Sequence, residues 1–375
     1  MTTLVNARLG TPTPLDGWLQ IESGVITGFG PGEPPRVGEV VDVAGQWVLP
    51  GFVDTHCHGG GGAALYSGNP DDVLQAARTH LRHGTTTLIA SVATMRLDRM
   101  LPAAAAIAEA AAPNIRGIHF EGPFLSPHRR GAQTESALLI PDERVFTQLI
   151  EASQGLAVSM TIAPELPGAI DLILRHHQQL TFAVGHTDDA GSHTRQAFDA
   201  GARTVTHLFN AMPPMTHRHP GPVGVALLDD RVGCELIADG IHLSPEALTV
   251  ATRTAGLNRT ILVTDAMAAT GLGDGDYSYA DRHVTVLNGT AKLRNTNTLA
   301  GSVHFLSDAL ANVVRLLHLT PPQAAALVST NPAHHYGWAN RGTIAPGNHA
   351  DLVLLSDDLT VRSVYLAGHL VTPDA

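Results

Sequence analysis

The residues able to do chemistry in this chain stand just after short apolar runs. His56 and His58 follow the first such run, Glu121 the third, His186 the fifth, His207 the sixth, Asp239 and His242 the seventh, and Asp265 the eighth. Alternate residues of an extended strand point the same way, so the imidazoles of His56 and His58 can reach one ion while Cys57 faces away. Imidazole and carboxylate donors suit zinc first, with iron or cobalt as alternatives, and no cysteine is needed. One or two divalent ions held by His56, His58, Glu121, His186 and His207 would lower the pKa of water from 15.7 towards about 7 and polarise a carbonyl.

Taken singly, each histidine is better read as a satisfied loop residue or a neighbour of a helix cap. The joint pattern is what carries the metal reading. His80, His83, His176, His177, His318, His334 and His335 fall on helical segments or their ends and read as solvated residues. His119, two residues before Glu121, either points to the same side or is buried behind the ligands. Gly59 to Gly62 lack the strand and helix context, and the lysine, of a nucleotide loop.

Eight apolar runs must position these residues: 48–54, 86–91, 115–120, 158–162, 180–184, 204–206, 234–237 and 260–263. Segments of helical period fall between most of them, at 70–83, 97–112, 142–153 and 245–255. Alternation of eight strands with helices predicts a parallel (β/α)8 TIM barrel, an α/β fold, and its active site lies at the C-terminal strand ends. Before the first run, strand-like pieces at 18–21 and 40–43 alternate with Gly and Pro turns, and strand character returns at 351–355 and 363–367. These terminal segments predict a small β-sandwich domain formed by 1–49 plus 343–375, leaving 50–342 as the catalytic barrel domain.

The 375 residues, 44% of them apolar, suffice for one large domain and a small satellite. A formal charge of -11 argues against nucleic acid or an anionic membrane as partner. Neither a basic leader with an apolar core nor an apolar run of about 18 residues is visible, so the expectation is a soluble cytoplasmic protein. The two cysteines, Cys57 and Cys234, lie in apolar runs and do not suggest a disulfide framework. Lys292 is the only lysine and falls after the eighth run, in a loop or hairpin. That position leaves no lysine at a strand end to bridge two metals.

Two segments carry a resemblance to the amidohydrolase superfamily: Pro50-Gly51-Phe52-Val53-Asp54-Thr55-His56-Cys57-His58-Gly59 and Gly342-Thr343-Ile344-Ala345-Pro346-Gly347-Asn348-His349-Ala350-Asp351-Leu352-Val353. Four more, His119-Phe120-Glu121-Gly122-Pro123-Phe124, Gly185-His186-Thr187, Thr206-His207-Leu208-Phe209-Asn210-Ala211-Met212 and Val263-Thr264-Asp265-Ala266-Met267, resemble its branch of amino sugar phosphate deacetylases. The resemblance implies hydrolysis of the acetamide of N-acetylglucosamine 6-phosphate by a homodimeric enzyme. It implies that Glu121, His186 and His207 hold the catalytic metal and that Asp265 is the general base and then the acid. It places Ala132, Asn210, Ala211, Arg218, His242 and the Leu299-Ala300-Gly301 turn around the substrate, a small amino sugar phosphate. Two features depart from the family pattern. Some members lack the His-x-His and use one metal, and some carry a histidine where this chain has Gln133, which can donate only a neutral hydrogen bond.

Competing readings are another N-acyl amino sugar or amino acid deacetylase, or a deaminase, of the same superfamily. A non-catalytic sugar-phosphate-binding protein is a more distant one, since it would be expected to lose Asp265 or several ligands. Because Lys292 is the only lysine, an anionic phosphate must be met by arginine. Arg218, in a proline-stiffened loop beyond His207, is the candidate, with an exposed arginine on a loop rim as the bland alternative.

Overall fold

A computed structural model describes residues 1–35 and 38–372 of the chain. The last residues of the expected 343–375 segment, 373–375, and residues 36–37 of the expected 1–49 segment lie outside the described residues. Contacts divide the chain into two compact units. One holds Met1–Asp54, Arg78–Thr87 and the chain from Phe305 onward; the other holds Thr55–Ala77 and Leu88–His304.

Eight parallel strands form one sheet in sequence order: Phe52–Cys57, Thr85–Val92, Ile115–Glu121, Ala157–Ile162, Thr181–Val184, Thr204–Val205, Gly233–Ile237 and Thr260–Val263. The expected barrel is therefore present. Between its last and first strands, Cys57 bridges Ala266, the Asp265 N–H donates to the His56 carbonyl at 2.8 Å, and the His58 N–H donates to the Ala266 carbonyl at 2.8 Å. Buried on both faces, these strands read as continuous apolar runs, as a sheet covered by helices requires. A helix follows each strand, among them Pro70–Arg82, Leu97–Ala110, Glu143–Ala152 and Pro245–Ala255. Local chemistry starts two of them: the Asp142 carboxylate accepts the N–H groups of Arg144 and Val145, and the Ser244 hydroxyl accepts that of Ala247, with Pro245 at the first helical position.

The first apolar run is not one strand. Trp47–Pro50 pairs antiparallel with Leu352–Leu355 in a different sheet, and the barrel strand begins only at Phe52. The break falls at Gly51, where a Cβ would come within 2.1 Å of the Thr86 hydroxyl oxygen. In consequence His56 lies within the first barrel strand, and only His58 follows it.

Strands from both ends of the chain, including Thr2–Leu9, Leu15–Glu22 and Val361–Leu366, join Trp47–Pro50 in one eight-stranded sheet, a β domain built from both termini. Leu4, Leu9, Leu19, Ile21, Val48, Leu352 and Tyr365 form its core. After the eighth barrel strand the chain builds a three-stranded antiparallel sheet, Gly275–Tyr279, Arg282–Leu287 and Thr290–Leu293, which holds Lys292 away from the barrel strands. His80 does not follow the expectation of a solvated helical face. It is fully buried, edge-on to Phe305, while His83 stacks on the same ring at 3.6 Å.

Candidate metal centre and its pocket

At the C-terminal ends of the barrel strands, two groups of buried side chains each bring their ligand atoms within 4.8 Å of one another: His56, His58 and Asp265, and Glu121, His186 and His207. The Nε2 atoms of His56 and His58 are 3.1 Å apart, and those of His186 and His207 are also 3.1 Å apart. Glu121 joins the groups. Its Oε1 lies 3.0 Å from His186 Nε2, 3.1 Å from His207 Nε2 and 3.4 Å from His56 Nε2, and its Oε2 lies 3.2 Å from His58 Nε2. Asp265 Oδ1 lies 3.4 Å from His58 Nε2 and 3.7 Å from His56 Nε2.

The far sides of the rings set their direction. His58 Nδ1–H donates to the Ser91 carbonyl at 3.2 Å and His186 Nδ1–H to the Arg129 carbonyl at 2.8 Å. A donor on Nδ1 leaves Nε2 as the lone pair, so these rings present acceptors to the centre. His56 Nδ1 faces Glu235 Oε2 at 3.5 Å, and the Thr55 hydroxyl donates to the other Glu235 oxygen at 2.8 Å. Lone pairs converging at these separations repel each other unless a cation lies between them. The donor set, four imidazoles and a shared carboxylate with a second carboxylate alongside, therefore fits one or two divalent ions of the zinc type.

The buried carboxylates draw positive charge to the centre. Burial alone would raise the Glu121 carboxyl, but His56 and His186 facing it, with hydrogen bonds from His186 and His207, hold it well below the usual carboxylate range. Burial likewise works against a charge on His56, and the charge of Glu121 with hydrogen bonds to Glu121 and Glu235 more than reverses this, holding the imidazole well above its ordinary value. His119 is different. Burial and then the neighbouring His56 push it down to about 3, and its two nitrogens are taken by the Ser159 hydroxyl at 2.9 Å and the Thr161 hydroxyl at 3.0 Å. It packs behind His56 as a neutral ring, with 4.8 Å between centroids.

Backbone strain marks the same place. His186, His207, Phe209, Ala211 and Asp265 have positive φ, at 46°, 28°, 78°, 53° and 47°. For residues other than glycine this region is sparsely populated, and such strain gathers at functional sites. Gly301, at φ 66°, lies so close that a Cβ would come within 2.6 Å of the Asp265 carbonyl oxygen.

Above the two groups opens a cavity of about 320 Å³. Of the residues singled out from sequence, Glu121, Ala132, Gln133, His186, His207, Asn210, Ala211, His242, Asp265, Leu299 and Gly301 line it. His56 and His58 lie fully buried at its base, Ala300 is buried within the turn, and Arg218 is on an exposed loop outside the lining. His242 Nδ1–H donates to Asp239 at 2.7 Å. Burial opposes a charge on His242, but this contact outweighs it and raises the imidazole above its usual value.

Sequence reasoning missed Gly131, Tyr279, Asn297 and Thr298, which also line the cavity, and Glu235 behind His56. Glu235 did leave a signal, a carboxylate inside the apolar strand Gly233–Ile237. Tyr279 left none, since it reaches the pocket from the three-stranded sheet that follows the barrel.

The amidohydrolase family model matches residues 47–371. The N-acetylglucosamine-6-phosphate deacetylase of Bacillus subtilis (strain 168) is 34% identical over 95% of this chain and 92% of its own length. The N-acetylgalactosamine-6-phosphate deacetylase of Escherichia coli O157:H7 is 32% identical over 95% of this chain and 96% of its own. Among solved structures, N-acetyl-D-glucosamine-6-phosphate deacetylase from Mycobacterium smegmatis superimposes with a TM-score of 0.93 at 37% identity, covering 99% of each chain. With a barrel of this kind, ligand-type side chains gathered at its strand ends and relatives matched along nearly their full length, the chain belongs to the amidohydrolase family.

Proposed function

We propose that this chain is a metal-dependent hydrolase that removes the acetyl group from N-acetylglucosamine 6-phosphate, giving glucosamine 6-phosphate and acetate in amino sugar catabolism. The observation that carries the reading is the pair of buried ligand groups sharing Glu121 under a cavity that Asp265 lines. The names of full-length relatives supply the substrate class. Glu121, His186 and His207 would hold one divalent ion and His56 with His58 a second, zinc first among candidates, supplying a water of lowered pKa and a polarised carbonyl.

An amide is a poor electrophile with a poor leaving group. Asp265 takes a proton from the attacking water and delivers it to the sugar nitrogen as the carbon–nitrogen bond breaks. Asn210, Ala211, Ala132 and the Leu299-Ala300-Gly301 turn shape the sugar site, and His242, its Nδ1 committed to Asp239, orients the sugar through Nε2. Arg218 meets the phosphate. For organisation, the proposal keeps 50–342 as catalytic barrel and 1–49 plus 343–375 as β domain, in a cytoplasmic homodimer.

The galactosamine isomer is the second reading, since relatives from Escherichia coli O157:H7 and Shewanella carry that name. Acetate release from a panel of N-acetylated glucosamine, galactosamine and mannosamine, each with and without the 6-phosphate, decides between them. Arg218→Ala should lower kcat/KM on the phosphorylated sugar about 10- to 150-fold, the worth of a charge-assisted pair of roughly 1.5–3 kcal/mol, and leave the unphosphorylated sugar unchanged. An equal decline on both substrates would make Arg218 structural. A wild type indifferent to phosphate would overturn the substrate assignment in favour of a general N-acyl deacetylase.

A further inference from the structure

Hydrolysis of an acetamide places negative charge on the acetyl oxygen as water adds, and hydrogen-bond donors aimed at that oxygen lower the barrier. Two neutral donors of the cavity wall, Gln133 and Tyr279, stand directly against Glu121. Gln133 is fixed in direction: its Oε1 accepts the Thr94 N–H at 2.8 Å, which turns Nε2 towards Glu121 Oε2 and the Tyr279 hydroxyl, 3.4 Å away. By receiving that N–H, the Tyr279 oxygen has its acceptor side occupied, so its own hydrogen points away from Gln133. In this arrangement it donates to Glu121 Oε2 at 3.5 Å, a long contact that a better acceptor in the cavity displaces.

The ring itself is held firmly. Tyr279 is 2% exposed, packs edge-on to His58 and Tyr66 with centroids 5.4 Å and 5.9 Å away, and is followed by Ala280, whose N–H donates to the Tyr66 hydroxyl at 3.0 Å.

We propose that the Tyr279 hydroxyl is an oxyanion donor, hydrogen-bonding the acetyl oxygen of the substrate as that oxygen becomes negative, with Gln133 setting the direction of the hydroxyl. The proposal rests on the deacetylase reading. As the water oxygen bonds to the acetyl carbon, the carbonyl π pair moves onto the acetyl oxygen, which Tyr279 stabilises without giving up its proton. That pair re-forms the carbonyl as the carbon–nitrogen bond breaks and the nitrogen takes the proton carried by Asp265.

The test compares wild type with Tyr279→Phe, both carrying their metal, in four measurements: kcat on the N-acetylated sugar phosphate, metal content, affinity for the deacetylated product, and affinity for a tetrahedral phosphonamidate analogue of the substrate. The expected result is a fall in kcat of about 10²–10³-fold, as for loss of one oxyanion donor, with a parallel fall in affinity for the analogue. Metal content and product affinity should stay as in wild type. Unchanged kcat would overturn the proposal, as would loss of metal in step with kcat, because Tyr279 would then only position Glu121. Product affinity falling as far as kcat would mean lost packing and would overturn it too. A wild type that releases no acetate from any sugar phosphate in the same assay overturns the deacetylase reading along with this one.

Discussion

At the floor of the cavity His58 donates Nδ1–H to the Ser91 carbonyl of a barrel strand and His186 donates to the Arg129 carbonyl in the loop after Glu121, whereas Arg218 sits outside the cavity lining on an exposed loop with a turn closed by Thr216 and His219. The floor residues stand on or next to barrel strands, and backbone hydrogen bonds hold the strained residues: the His186 and His207 carbonyls accept the N–H groups of Ser126 and Asn210, and the Asp265 N–H donates to the His56 carbonyl. The mouth is built from connections between strands and helices. The difference teaches that, under the proposed function, the residues assigned to chemistry and to recognition draw their support from different parts of the fold. A change at the floor should alter metal and turnover together, and a change at the mouth should alter binding alone.

The largest effect should come from Glu121, the group both halves of the floor share. Glu121→Ala would leave four buried imidazoles without their carboxylate, and metal analysis should find both equivalents lost or greatly weakened. Turnover should fall by about 10³-fold or more, since a bound ion contributes several kcal/mol of transition-state stabilisation. Changing His56 and His58 together should lower only the second equivalent. A Glu121 variant that keeps its full metal content would break the picture of a shared bridge.

Asp265 comes next. It stands within 3.7 Å of His56 and His58, so the geometry alone allows a ligand or a proton carrier. Asp265→Asn retains a coordinating oxygen but not the basicity, and we expect kcat to fall by at least about 10²-fold with metal content kept. Near-normal kcat would move the base elsewhere, with His242 the next candidate.

On the cavity wall, at His242, the effect should be smaller and dependent on pH. His242 has a raised value, so its charged form persists above the ordinary histidine value of about 6.5. Its cationic contribution to binding a phosphorylated sugar is complete below that ordinary value and is lost as pH rises through the raised one. KM for the phosphorylated sugar should therefore rise on the alkaline side by about tenfold, the low end for a charge-assisted hydrogen bond, and His242→Gln should abolish this step. Loss of kcat in that variant at all pH values would place His242 with the floor instead.

The barrel was legible in the chain because a strand buried on both faces must be apolar along its whole length, and the polar residue that ends it stands out by contrast. Glu121, at the end of Ile115–Glu121, and Asp265, two residues past Thr260–Val263, were found on that contrast. The break at Gly51 was not. Val48 and Phe52 are equally apolar, and only pairing with Leu352–Leu355 takes Trp47–Pro50 into another sheet. His80 was misjudged for a related reason: helical position does not reveal what packs against a helix, and here Phe305 covers the ring.

By itself the sequence determined the number and order of the barrel strands, the ligand types at their ends and the absence of a bridging lysine, because each is a property of residue type and local period. Only the tertiary structure decided that Glu121 lies between two ligand groups, that Glu235 stands behind His56, and that Tyr279 enters the cavity from a sheet outside the barrel. Such contacts join residues far apart in the chain, and distances of 3 to 4 Å between them are set by how strands register and loops fold back, which no local pattern encodes.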